Sequence, residues 1–250
     1  MTAPAGMLMN INTMPNPMSA SSAQKQTRAM PDRSVRVHSH AARLAGALLG
    51  ELLYETGDLA EATRLLDESY LLGSDGGGVD YLAARYVIGA RIKAAQGDHG
   101  SAVDRLAAGM KAADQLRLPR LAARINNERI RLSIELPHAV AAGLRSPRTI
   151  PRDNGIATIT AELDENSGVR LLSASDSADD REQACQRAAD LAAAIDGTRR
   201  PLAALQAHLL LVETLTVAGQ AADARKELAQ ISAKCAELGL SRLLVDAGLG

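Results

Sequence analysis

The 250-residue chain carries 28 basic and 29 acidic residues, a formal net charge of −1. That balance excludes an electrostatic hold on nucleic acid or on an anionic membrane surface. Its apolar content, 46%, is mostly Ala and Leu, with no Phe, no Trp and four Tyr, which excludes a fold built on aromatic, β-branched strands and predicts an all-α protein with thin, Ala-lined helix contacts.

Residues 1–36 read as a disordered tail. They lack the charged start and continuous apolar stretch of a secretory signal. No run of the chain is long and apolar enough to span a bilayer, so a cytoplasmic protein is expected. From Arg36 on, Ala41, Leu44, Ala45, Leu48, Leu49, Leu52 and Leu53 recur at three- and four-residue spacing, predicting an amphipathic helix. Gly57 stops it, since a left-handed C′ position suits a residue without Cβ. Asp58 is placed to cap the next helix and Glu61 to reach back in a capping box. That second helix carries Ala62, Leu65, Leu66, Ser69 and Tyr70 on one face. A turn this short makes the two helices a hairpin.

The loop Gly73–Gly78 ends the second helix. A third carries Leu82, Tyr86, Val87, Ala90 and Ala94, and Gly97-Asp98 repeats the stop-start signal. The fourth carries Ala102, Val103, Leu106, Met110 and Ala113 up to Pro119. The fifth is expected over 120–136. Pro137 opens a short helix, and 146–156 is a loop or linker. GIATITAEL is rich in β-branched residues, yet its place in the repeat predicts a helix. Asp179 or Asp180 is expected to cap the helix of Ala184, Ala188, Leu191 and Ile195. A last hairpin is creased at Gly219.

Gly57 and Gly97 are 40 residues apart, and Gly97 and Gly219 are 122 apart, close to three such steps. A fixed period in this range signals a solenoid. The expected architecture is a tetratricopeptide-like α-solenoid of about five hairpins, with repeats over 37–145 and 157–250.

Leu49-Gly50, Gly57, Ala62 and Leu66 resemble the tetratricopeptide pattern, as do Gly97, Ala102 and Leu106, and Gly219, Ala224 and Leu228. The segments ETGDLAEATRLLDES (55–69), LRLPRLAARINNERIRL (116–132) and ELGLSRLLVDAGLG (237–250) resemble the helical-repeat region of MalT-type regulators, the large ATP-binding branch of the LuxR family. A similar region occurs in the C-terminal part of PknK-type serine/threonine kinases. The resemblance implies a bacterial, non-catalytic sensor region in signal transduction or transcriptional regulation. The alternatives are a stand-alone adaptor and a regulatory fragment of a PknK-type kinase.

Chemistry-bearing motifs are sparse. No GxxxxGK[ST] occurs, and no kinase Gly-rich loop, HRD or DFG set. The Gly-rich loop 73–80 has no Lys-Ser/Thr after it. His38 and His40 have no partner ligands in the sequence around them, where zinc needs three or four. Cys185 and Cys235 form no CxxC and read as structural thiols. No catalytic residue, cofactor or metal is expected, and neither enzymatic turnover nor direct DNA binding. First helices of such solenoids line the concave face. Arg85, Arg124, Asn127, Arg131 and His208 are therefore the candidate contacts for a protein or small-molecule effector, with self-association left open.

Overall fold

The computed structural model describes residues 33–71, 78–151 and 155–248, without the side chains of 33–40 and 43. Residues 1–32 of the tail expected over 1–36, residues 73–77 of the Gly-rich loop and the side chains of His38 and His40 lie outside the described residues. Helix α1 (Arg33–Thr56) starts three residues before Arg36 and pairs with α2 (Leu59–Tyr70). The second hairpin is α3 (Val79–Ala83), a π-helical turn (Ala84–Ile88) and α4 (Gly89–Ala95), folded against α5 (His99–Leu116). In the third repeat α6 (Pro119–Arg131) is followed by the short α7 (His138–Arg145), which does not pack closely on it. Then come α8 (Ile156–Ser173) with α9 (Ala178–Ala194), and α10 (Pro201–Val217) with α11 (Ala221–Leu238). A last short helix, α12 (Ser241–Asp246), packs on both α11 and α1. The described residues form an all-helical, solenoid-like stack.

The creases follow the stop-start reading. Gly57, Gly97 and Gly219 have φ of 95°, 82° and 77°. The Asp58 and Asp98 carboxylates accept from the backbone N–H of Glu61 and Ser101, at 3.3 and 3.0 Å. Only half of the expected capping box forms. The Glu61 carboxylate is held by Arg64, and the Asp58 N–H instead closes the preceding helix on the Leu53 carbonyl at 2.8 Å. Ser177, rather than Asp179 or Asp180, caps α9, accepting from the Asp180 N–H at 3.3 Å. Helix α6 ends five residues before Leu136: Ser133 turns left-handed (φ 55°) and the Ile134 N–H reaches back to the Arg129 carbonyl at 2.7 Å. GIATITAEL is helical, as the repeat phase requires. Its β-branched side chains are accommodated because Thr160 returns its hydroxyl to the Ile156 carbonyl, as serine and threonine in helices do.

The core runs as a string of clusters between successive hairpins. Tyr54, Leu66 and Ile88 form one; Leu82, Tyr86, Leu106, Leu121 and Ile125 the next. Val169, Leu191 and Leu210 follow, then Leu205, Leu209, Ile231, Cys235 and Leu243. Cys185 and Cys235 are both buried free thiols. The contacts are thin, as the Ala-rich composition implies. At Gly168 a side chain would overlap the Leu144 carbonyl oxygen, so α7 and α8 approach at backbone distance. No helix among the described residues is long and apolar enough to cross a membrane.

Candidate functional site

The repeat becomes visible as polar ties between neighbouring hairpins, nearly all spanning about one period. Arg91 grips Glu128 on the next first helix, Nε to Oε1 at 2.9 Å and Nη2 to Oε2 at 2.5 Å. Asn127 donates to Asn166 and Ser167 at 2.8 and 3.1 Å. Arg170 Nη1 meets Glu213 at 2.6 Å, and its Nε donates to Asn166 at 3.0 Å. These ties line an inner cavity of about 90 Å³, walled by the first helices of all five hairpins and by Leu243 of α12. Its charged lining is balanced: Arg91, Arg124, Arg131 and Arg170 face Glu51, Glu55, Glu128 and Glu213.

Helix α12 closes one side. Tyr54 Oη donates to Asp246 Oδ2 at 2.6 Å across 192 residues of sequence, and Arg242 Nη2 donates to Asp246 Oδ1, also at 2.6 Å. Arg91 Nη1 stands 3.6 Å from the same carboxylate. Gly57 leaves room for this approach, because a Cβ there would lie 2.8 Å from Ser241 Oγ.

The charges in the cavity are not equally satisfied. Glu128 is 1% exposed. Burial alone would raise its pKa, but the two-pronged hold of Arg91, with help from Arg131 and Arg170, keeps it below the ordinary range. Among the described residues, the ion-pair partner of Glu51 is Arg124, 3.9 Å away, and burial pushes its pKa up despite Arg124 and Arg91. Glu55 is 6% exposed and has no hydrogen bond or ion pair to a described residue. Burial raises its pKa despite the nearby Arg91 and Arg131, with Asp246 and Glu51 adding to the rise. Arg131 stands 3.6 Å from a Glu128 already occupied by Arg91; burial and the neighbouring guanidiniums lower its pKa.

Of the five residues predicted to face an effector, Arg124, Asn127 and Arg131 line this cavity together. Arg85 does not. It is 2% exposed, its Nε donates to Ser69 Oγ at 3.3 Å, and its guanidinium lies 5.8 Å from the centre of the Tyr86 ring. It sits in the π turn, all of whose residues are buried, so the three-four spacing that put it on an open face does not hold there. His208 turns toward α11, with Nδ1 2.5 Å from Glu227 Oε1. Glu51, Glu55, Arg91, Asn166, Arg170, Gln206 and Glu213 were missed. One signal was available: Glu51, Arg91, Arg131 and Arg170 recur at steps of 40, 40 and 39 residues. Among the described residues, no group of three or more His, Cys, Asp or Glu stands together as a metal site.

The molecule is thus a helical-repeat solenoid around a small, charge-balanced inner cavity. The chain is similar to the serine/threonine-protein kinase PknK of Mycobacterium tuberculosis and of Mycobacterium bovis, at 77% identity over 216 residues, which is 86% of this chain. Those residues amount to 19% of each kinase, so the chain spans about a fifth of the length of the curated relatives it matches. No protein-family profile and no solved structure matches it.

Proposed function

We propose that this chain is a non-catalytic regulatory segment of PknK-type kinases, a sensor that binds an effector or a protein on the inner face of its solenoid. The observation that carries this reading is the inner cavity itself. Five first helices converge on it with charged and amide side chains, and two of its acids lack a close partner. The 77% identity to PknK kinases supports the kinase context. The MalT-like segments 55–69, 116–132 and 237–250 support an inducer-sensing role of the kind those regulators have, with the signal passed to an attached module. Binding would act by favouring one packing of the hairpins over another, which requires a differential affinity for the two.

A thermal-shift screen of sugars, amino acids, nucleotides and peptides on the full chain tests the proposal, paired with capture of binding proteins. The expected result is stabilisation by one class that Arg124→Ala or Asn127→Ala abolishes while the variant still folds. Binding that ignores both substitutions would sink the inner-face reading. Turnover of a substrate by the chain alone would sink the non-catalytic one.

A further inference from the structure

The ties between first helices fall into two kinds. Arg91–Glu128, Arg170–Glu213 and Arg200–Glu162 are closed, with their nearest atoms 2.5 to 2.6 Å apart. Between α1 and α6 the charges stand open. Arg124 and Glu51 are 3.9 Å apart, too far to hydrogen-bond, and Glu55 is more than nine-tenths buried with no bond to a described residue. Arg131 is left at 3.6 Å from a carboxylate that Arg91 already holds in two-pronged fashion. A buried charge without a close partner is costly, and an incoming group of opposite charge offsets that cost. Here both signs are incomplete, in the lining of one cavity.

We propose that this cavity binds a small zwitterion, its carboxylate on the α6 guanidiniums of Arg124 and Arg131 and its ammonium on the α1 carboxylates of Glu51 and Glu55. The proposal rests on the inner-face reading above. A simple anion would satisfy the arginines but add a like charge beside both glutamates, and a simple cation would do the reverse. The lining holds four acids and four bases, so only a ligand with no net charge keeps it neutral. A volume near 90 Å³ is smaller than the roughly 150 Å³ engineered cavity that accepts benzene, which suits a ligand the size of a small α-amino acid.

Calorimetric titration of the full chain with L-alanine, propionate and ethylamine tests this, because the two ions are alanine lacking one charged group each. Alanine, or another amino acid from a panel of the standard ones, should bind more than about tenfold tighter than either ion. Glu55→Gln should weaken alanine without weakening propionate; Arg131→Gln should weaken both. Should either variant melt early, backbone chemical-shift mapping of the unaltered chain replaces it, and alanine must then perturb α1 and α6 together. Propionate binding as tightly as alanine, or no binding by any amino acid, overturns the proposal. If a sugar or peptide binds instead and Arg124→Ala abolishes it, the inner-face sensor survives and only the zwitterion falls.

Discussion

Two glutamates of the inner face show how one residue type takes opposite roles in a low-dielectric setting. Glu128 is gripped by Arg91 with both oxygens, and removing one partner of such a buried pair leaves the other charge uncompensated. Glu128→Gln should lower stability by about 3–5 kcal/mol in urea unfolding. Because its pKa is depressed in the fold, that stabilisation is complete above the ordinary glutamate pKa and is lost as pH falls through the depressed value. Glu55 has the reverse sign. Its pKa is raised, so it carries no ionisation penalty while it is protonated in both states; the penalty sets in as pH rises past the ordinary value and is complete above the raised one. Glu55→Gln should therefore be more stable than the unaltered chain at neutral pH. The gain should vanish below the ordinary glutamate pKa in a pH series of urea midpoints.

Helices here are brought together by what their glycines leave out. Gly168 lets α8 lie against the Leu144 carbonyl, while Gly143, the residue before Leu144 on α7, has nothing within 4 Å of an added Cβ. Gly168→Ala should lose about 1–3 kcal/mol through overpacking against backbone that cannot yield. Gly143→Ala should gain up to about 1 kcal/mol from helix propensity alone. Thermal melts of the two variants should move in opposite directions. Gly57 combines both demands, a positive φ and the nearby Ser241. Gly57→Ala should cost about 1–2 kcal/mol from the backbone alone.

Across the whole molecule, α12 joins ends of the chain that a one-dimensional stack would leave apart. In a plain solenoid each repeat touches only its neighbours. The Tyr54–Asp246 bond couples the first hairpin to the last helix. Tyr54→Phe removes a hydrogen bond to a charged group and should weaken this closure by about 1.5–3 kcal/mol. Amide exchange should then quicken in α12 and in the last turns of α1 together, with α6 to α9 little changed. Equal quickening everywhere would mean that the closure is merely one contact among many.

The repeat architecture was legible because its signals are local. Gly57 and Asp58 carry their own instructions, left-handed backbone and side-chain cap, whatever lies around them. Recurrence at 40 residues then overrode the β-branched look of GIATITAEL. The stripe of Arg124, Asn127 and Arg131 was legible too, since one regular helix holds its faces in phase. Arg85 was misplaced because a π turn breaks that phase where the segment is buried against α1, α2 and α5. The boundary of α6 was misplaced because the apolar spacing runs on through Leu132 and Leu136 after the backbone has turned. Composition and spacing by themselves determined an all-helical stack of hairpins with balanced charge. Only the tertiary structure decided which glutamate is gripped and which is left open, and that α12 returns to α1. Those outcomes depend on distances between residues some 40 to 190 positions apart, and no local pattern encodes a distance of that kind.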